Sequence, residues 1–243
     1  IYAGAADIPL QYMRQQRCGY NPFLKDSCHQ HDGFIIYHPT RTGEHIDVRG
    51  GWHDASDYLQ YVTTSANATY QMLLAYQLFP DAFGDEYQAN GTPGKNGIPD
   101  ILDEARWGLE WLIKMNPDDS TFFNQIADDR DHTQFKLPQN DSIDYGWGAG
   151  KGRPVYFCSG KKQGLMQYQN RTTGLASTVG KYASAFSLGA DVMEPYAPDF
   201  SRYLLKKARN AFEAGVASPG VCQTAPCRAP YLYDEDHWCD HME

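Results

Sequence analysis

The strongest constraint on the fold is a helical repeat of apolar residues that recurs along the chain. From Asp54 to Phe79 the apolar side chains fall on one helical stripe, which Pro80 ends. A second stripe follows Pro99 and runs to Met115. Further helical patterns cover residues 4–16, 173–190, 198–216 and a segment that starts near residue 234. These patterns predict a mainly α chain of about six helices.

Long segments without a helical period join these helices. Residues 34–48 alternate apolar and polar side chains around Pro39, which predicts a short hairpin or an extended arm. Residues 118–172 show little periodicity and carry many Asp, Gly and aromatic residues. A loop of this length inside a compact domain usually has a function, so we expect functional residues in this region.

The composition favours a neutral ligand over a polyanion. The 243 residues carry a formal net charge of -9, which argues against nucleic acid or an anionic membrane as the main partner. The chain contains 17 Tyr and 5 Trp, and such rings suit the apolar C–H faces of a sugar. No apolar run is long enough to span a bilayer. The chain opens without a signal-peptide pattern, so an exported form would already have lost its signal.

Two carboxylates stand three residues apart in the stretch from Gly50 to Tyr58. If a helix begins near Asp54, then Asp54 and Asp57 share its first turn, where the helix dipole favours ionised carboxylates. An ionised, fixed carboxylate is what a general base needs to take a proton from water. The alternative is a plain helix start, with Asp54 as the N-cap and Asp57 beside the dipole. Spacing alone favours this alternative.

Near the N-terminus, three side chains are of the kinds that bind zinc. Cys18, Cys28 and His29 supply two thiols and an imidazole, and His31 or His53 would complete a closed tetrahedral site. The alternative is a Cys18–Cys28 disulfide in an exported protein, with His29 at the surface. The six cysteines of the chain do not decide the compartment, because some of them suit metal binding.

Several stretches together resemble glycoside hydrolase family 9, the inverting cellulases with an (α/α)6 barrel. Gly50–Asp57 is similar to the motif of that family that carries the catalytic base, although Ser56 stands where the family usually has glycine. Asn96–Leu112 is similar to its next signature helix. Thr173–Ala190 and Tyr233–Trp238 also fit, so the resemblance extends over the whole chain.

The resemblance implies roles for individual residues. Asp57 is implied to be the general base, and Asp54 to hold the nucleophilic water. Some members of the family carry a structural zinc on a ligand pattern that here selects Cys18, Cys28, His29 and His53. Calcium on loop carboxylates also occurs in the family, and the candidates here are Asp234, Asp236 and Asp240, although acidic residues are common at helix starts and a plain helix start is the favoured interpretation.

A glycine-rich segment within the long loop offers candidate sugar contacts. Aromatic faces would stack on glucose rings, and a guanidinium would donate to hydroxyls. The candidates for substrate binding are Tyr145, Trp147, Arg153 and Tyr156. The competing interpretation is a loop that packs its own aromatic side chains internally.

The resemblance also implies that residues 1–243 form the N-terminal portion of one catalytic domain, roughly half of the barrel. The general acid of the family is a Glu in the later part of a longer domain, so the isolated chain is expected to be inactive. Half a barrel would expose an apolar face, which predicts that the remainder of the domain is a partner. The expected substrate is cellulose, a related β-1,4-glucan or a cello-oligosaccharide, and the expected location is secreted, periplasmic or on the cell surface. The alternatives are a non-catalytic carbohydrate-binding fragment and a metal-stabilised helical module.

Overall fold

The computed structural model of the protein describes residues 4–55, 57–133 and 135–243. Five α-helices lie within these ranges. They are α1 (Asp7–Gln15), α2 (Val62–Leu78), α3 (Asp100–Met115), α4 (Ala176–Met193) and α5 (Pro198–Ala217). Six short strands accompany them, and these are β1 (Tyr20–Asn21), β2 (Asp26–Ser27), β3 (Phe34–Ile36), β4 (Gln60–Tyr61), β5 (Phe123–Ile126) and β6 (Pro154–Phe157).

The helices pack around one large apolar core. Helix α2 lies against α3 and α4, and α4 lies along α5. Small residues permit the close approaches, because a Cβ on Gly108 of α3 would overlap Thr69 of α2 and the indole of Trp52. Gly189 of α4 similarly faces Leu109 and Leu204. Replacing such glycines would force helices apart that the core holds together.

A four-stranded sheet in the order β3-β6-β5-β4 packs against α2. Strands β3 and β6 are parallel, whereas the other two pairings are antiparallel. Strand β4 runs directly into α2, so the sheet fixes the chain just before this helix. The predicted arm at residues 34–48 is present, since Gly33 and Ile46 exchange backbone hydrogen bonds. The pairing of β3 with β6, and strands β5 and β6 within residues 118–172, were not predicted.

The start of α2 differs from the sequence prediction. The helix begins at Val62, because Gln60 pairs with β5 and Tyr58 has a left-handed φ of 59°. The amide of Asp54 donates to the carbonyl oxygen of Leu59 at 2.7 Å, which closes a loop rather than a helical turn. The proposed helical first turn for Asp54 and Asp57, and with it the N-cap interpretation, is therefore wrong.

The predicted helix near residue 234 is also not formed. In the described part of the chain, only a 3-10 turn at Cys239–His241 follows α5. The carboxylates of Asp234 and Asp236 bind Arg171, and the Gln223 amide donates to the Glu235 carbonyl. These contacts hold the segment extended across the rest of the domain.

One side of the helical layer is left uncovered. Helix α5 exposes Leu205, Phe212 and Val216, which are spaced along one face of the helix. Beside them runs a groove of about 1280 Å³ whose walls come from α2, α4, α5 and the C-terminal residues 240–243. No helix in the described ranges combines the length and the apolar character needed to cross a membrane.

Candidate active site and metal centre

The loop that carries Asp54 and Asp57 is fastened to α3. The indole of Trp52 donates to Glu104 at 2.8 Å, and the indole of Trp107 donates to the Gly51 carbonyl at 2.9 Å. A Cβ on Gly51, which has a φ of 67°, would overlap the ring of Trp111. The two glycines and the tryptophan before the carboxylates therefore let the loop lie flat against α3.

Asp54 is held by two hydroxyl groups. Thr64 donates to Oδ1 and Tyr233 donates to Oδ2, each at 2.7 Å. Burial and the neighbouring Asp54 carboxylate raise the pKa of the Tyr233 phenol, so it remains a donor at neutral pH. The edge of Tyr61 packs on the Tyr233 ring at a centroid distance of 4.9 Å. Asp54 is thus fixed in orientation with both oxygens engaged.

Asp57 has a different environment. Its Oδ2 lies 2.5 Å from Nε2 of His132, and the His132 ring packs edge-on against Tyr231 at 4.7 Å. Its Oδ1 has only a long contact of 3.4 Å with the Leu59 amide. Asp57 therefore keeps one carboxylate oxygen with spare capacity to accept a proton, beside a solvent-accessible surface.

Three residues of this site were missed by sequence reasoning. His132 lies 75 residues from Asp57 in an aperiodic acidic segment, and Tyr231 and Tyr233 lie in a Pro-containing loop. His132 and Tyr231 belong to no motif with a characteristic spacing, and Tyr233 begins the stretch Tyr233–Trp238 that resembles the family, but that resemblance assigned it no role. Ser56, where the sequence departs from the usual family motif, lies outside the described residues.

The four predicted zinc ligands come together in the structure. Ligand atoms of Cys18, Cys28, His29 and His53 all lie within 4.8 Å of one another. The Cys18 Sγ to His29 Nδ1 distance is 3.6 Å, and the Cys28 Sγ to His53 Nε2 distance is 3.7 Å. Zinc bonds of about 2.0–2.3 Å in a tetrahedron separate neighbouring ligand atoms by about 3.3–3.8 Å, so the observed spacing fits zinc.

The pKa shifts divide the four proposed ligands. Burial, and then the neighbouring Cys28 thiol, raise the pKa of the Cys18 thiol, and the contacts with Asp141 and Cys28 raise the pKa of His29 despite burial. Burial lowers the pKa of His53 to about 4, which leaves a neutral ring at pH 7. The hydrogen bond from Cys18, with help from His29 and His53, lowers the pKa of the Cys28 thiol to about 2 despite burial. Around the ligands, Arg153 Nη2 lies 3.6 Å from Cys18 Sγ, and Asp141 accepts from His29 Nε2 at 3.1 Å. The Asp141 contact orients the other ring nitrogen, Nδ1, towards the thiols.

Other candidate metal groups are less suitable. His31 is exposed and lies outside the four-residue cluster. Asp128, Asp129 and Cys227 also lie close together, but Arg130 and Tyr156 already bind the Asp128 carboxylate. Of the three calcium candidates, Asp234 and Asp236 pair with Arg171, and Asp240 contacts His241. All six cysteines are free thiols.

The predicted sugar contacts in the glycine-rich segment are mostly internal. Arg153 is buried and binds Asp32, Gln60 and the Tyr58 carbonyl. Tyr145 and Tyr156 are also buried, and the Tyr156 hydroxyl donates to Asp128. Burial leaves these three side chains no open face for a sugar, so the structure corrects this prediction in favour of internal packing. Trp147 is half-buried and stacks on Phe34 at a centroid distance of 4.7 Å.

The family model described as Glycosyl hydrolase family 9 matches residues 2–243. The chain belongs to glycosyl hydrolase family 9. Endoglucanase C of Cellulomonas fimi is 30% identical over 180 residues, which are 72% of this chain and 14% of that protein. Endoglucanase D of Acetivibrio thermocellus is 32% identical over 153 residues, which are 58% of this chain and 24% of that protein.

Solved structures of family 9 share this fold. A metagenome-derived family 9 endoglucanase matches with a TM-score of 0.70 and 30% identity, over 91% of this chain and 37% of that one. A zinc-binding triple mutant of another family 9 endoglucanase matches with a TM-score of 0.64 and 26% identity, over 86% of this chain and 36% of that one. The predicted fold class, part of an (α/α)6 barrel, is confirmed. The chain spans less than a quarter of the length of the two curated relatives.

Proposed function

We propose that this chain carries the water-activating half of an inverting β-1,4-glucanase active site. The observation that carries the proposal is the unequal environment of the two carboxylates, with Asp54 held by two hydroxyls and Asp57 keeping a free oxygen beside His132. Family membership and the endoglucanase names of the relatives support the substrate class. The partner is then a β-glucan chain or a cello-oligosaccharide, and a polymeric substrate favours action outside the cytoplasm.

In this mechanism, a water molecule lies between the carboxylate pair and the anomeric carbon. Asp54 accepts one hydrogen bond from the water and holds it in line, while Asp57 takes its proton as the oxygen attacks. His132 fixes the Asp57 carboxylate through Oδ2, so that Oδ1 is directed to the water. The attack proceeds on the face of the sugar opposite the leaving group, which inverts the configuration.

We propose that the general acid belongs to a part of the catalytic domain outside residues 1–243. Inversion needs an acid about 6.5–9.5 Å from the base. Within the chain, Glu235 is not available for this task, because Lys181 and Thr63 bind its carboxylate. The uncovered face of α5 and the groove beside it offer the surface on which further helices would complete the barrel. Residues 1–243 alone are accordingly expected to be inactive.

We also propose that Cys18, Cys28, His29 and His53 hold a structural zinc ion. Zinc would supply a fixed link between the N-terminal loop and the residue just before Asp54, and a closed four-ligand site leaves it no role in bond cleavage. The fit rests on the ligand spacing and on the Asp141 contact to His29.

The decisive experiment replaces Asp57 with Asn in the complete polypeptide. We expect Asp57→Asn to lower kcat on a soluble β-1,4-glucan by about 10²–10⁴-fold, the typical contribution of a general base. The fold should persist, because Asn retains the shape of the side chain. Asp81→Asn, at an exposed carboxylate away from the site, is the matched control and should leave kcat unchanged. Retained turnover in Asp57→Asn would remove Asp57 from the base role.

A further inference from the structure

A buried chain of charges connects the metal site with the base. Lys136 Nζ lies 2.8 Å from Asp141 Oδ1 and 3.1 Å from Asp131 Oδ1. The exposed fractions of the three side chains are 8% for Lys136, 4% for Asp141 and 0% for Asp131. An ammonium ion with two buried carboxylates is costly to assemble in a protein interior and costly to break by removing one member.

The three charged side chains link the proposed zinc site to the residue beside the proposed base. At one end, Asp141 Oδ2 accepts from Nε2 of the proposed zinc ligand His29. At the other end, Asp131 immediately precedes His132, whose Nε2 contacts Asp57. The 3-10 turn Asp129–Asp131 therefore ends immediately before His132, the residue that contacts the proposed base.

A second contact supports the same connection. The Tyr58 hydroxyl donates to the backbone carbonyl of Lys136. The Tyr58 ring packs against both proposed histidine ligands, at centroid distances of 4.8 Å to His53 and 5.9 Å to His29. Tyr58 itself directly follows Asp57. Through Tyr58, the backbone at Lys136 is therefore in contact with a residue that packs on the proposed metal site and belongs to the catalytic loop.

We propose that Lys136 is a positioning residue whose ammonium couples the metal site to the orientation of Asp57 through Asp141 on one side and Asp131 on the other. The catalytic part of this inference rests on the proposed function, whereas the coupling between the metal site and His132 does not. Nothing in the glucanase mechanism above requires such a connection.

The charge of Lys136 is the essential part of the link. Among the described residues, neither oxygen of Asp131 takes a well-oriented hydrogen bond, so the contact with Lys136 is held by charge. Burial, and then the charge of Asp141, raise the pKa of Asp131 to about 6, while Lys136 opposes this shift. Without the ammonium, the two carboxylates would repel one another, and the turn before His132 would shift.

The test uses the complete polypeptide loaded with zinc and three variants. Lys136→Met removes the charge but keeps a long flexible side chain, Lys136→Arg restores a cation, and Lys162→Met is a control at an exposed lysine. We expect Lys136→Met to release zinc to a chelator about 10-fold faster or more, as for other groups that support metal ligands. It should also lower kcat about 10-fold with little change in KM. Lys136→Arg should largely restore the zinc release rate and kcat, and Lys162→Met should match the wild type in both.

A readout without substrate tests the coupling itself. The NMR signals of the His132 ring should shift when zinc is removed from the wild type, and this response should be lost in Lys136→Met. Asp131→Asn removes the carboxylate next to His132 and leaves the contact between Lys136 and Asp141 in place. It should lower kcat and reduce the shift of the His132 signals on zinc removal, while zinc release stays near the wild-type rate. Faster zinc release with an unchanged His132 response and unchanged kcat would overturn the proposal.

The same readout separates the two proposals. If the wild-type polypeptide hydrolyses no β-glucan but the His132 response depends on Lys136, the glucanase proposal fails and the coupling holds. If hydrolysis depends on Asp57 while Lys136→Met behaves like Lys162→Met in every measurement, the glucanase proposal holds and the coupling is refuted. Cooperative thermal unfolding of each variant establishes that it is folded.

Discussion

At the scale of single residues, the partners of a carboxylate decide what it can do. Asp54 and Asp57 are three positions apart and both partly accessible, yet only Asp54 has hydroxyl donors on both oxygens. Such a carboxylate is rigid and well suited to orient a water molecule. Asp57 keeps an oxygen without a short contact, which is the property a proton acceptor needs.

The Tyr233 hydroxyl gives a direct test of this division of roles. We expect Tyr233→Phe to lower kcat about 10-fold, since a hydrogen bond to a charged group contributes about 1.5–3 kcal/mol and 1.4 kcal/mol corresponds to a tenfold rate. KM should change little, because Tyr233 acts on Asp54 rather than on remote sugar units. Steady-state kinetics of the complete polypeptide measure both values. Tyr12→Phe, at an exposed ring on α1, is the matched control, and equal kcat values in the two variants would contradict the role.

The sequence allowed some of these residues to be predicted but not others. The residue types of Cys18, Cys28 and His29 suggested three ligands, and the family resemblance selected His53 as the fourth, so the ligand set could be named before the structure. His132 could not, because its contact with Asp57 depends on how an aperiodic segment folds back over the loop. Arg153 was misassigned to sugar binding, because a guanidinium in a glycine-rich loop looks accessible until its partner Asp32 is known.

At the scale of elements, helices with a strong apolar period were predictable and their junctions were not. Helix α3 occupies Asp100–Met115, close to the predicted segment, because Pro99 and the acidic first turn define its start. Helix α2 starts eight residues later than predicted, because strand pairing with β5 takes Gln60 and Tyr61 out of the helical pattern. A periodic pattern cannot reveal such pairing, since the partner strand lies in a distant part of the chain.

The proposed zinc site acts between elements, because it joins the loop around β1 and β2 to the loop before α2. We expect the complete polypeptide to hold one zinc equivalent more than Cys28→Ser, as measured by metal analysis. At a free zinc concentration a thousand times the Kd, zinc would add about 4 kcal/mol to the free energy of unfolding, which Cys28→Ser should lose. Acidification should also release the metal, because protons compete for the thiolates and imidazoles.

The control for this prediction is Cys239→Ser, which changes an exposed thiol and should keep the metal. Equal zinc content in Cys28→Ser and the wild type would contradict the site. A Cys18–Cys28 disulfide found by mass spectrometry in metal-free protein would instead support the alternative that the sequence left open.

At the scale of the whole molecule, the described chain has a covered side and an uncovered side. Strands β4 and β5 of the sheet pack against α2, while α5 presents Leu205, Phe212 and Val216 beside a large groove. The sequence indicated this asymmetry only through the family resemblance, because apolar residues on a helix do not show which of its faces has a partner within the same chain. The match to 37% of a solved family 9 chain agrees with a barrel of which this is a part.

Phe212 tests whether further helices of the same domain cover that groove. On the described chain alone Phe212 is 46% exposed, and a polar replacement at such a surface costs little. In a completed barrel the same position would be buried, and Phe212→Asp would place an unpaired charge in an apolar contact, at a cost of about 3 kcal/mol or more. Denaturant unfolding of the complete polypeptide measures this loss. Ile8→Asp, at an exposed position on α1 away from the groove, is the control and should lower the free energy of unfolding by less than about 1 kcal/mol. An equal decrease in the two variants would mean that this face of α5 stays uncovered in the complete protein.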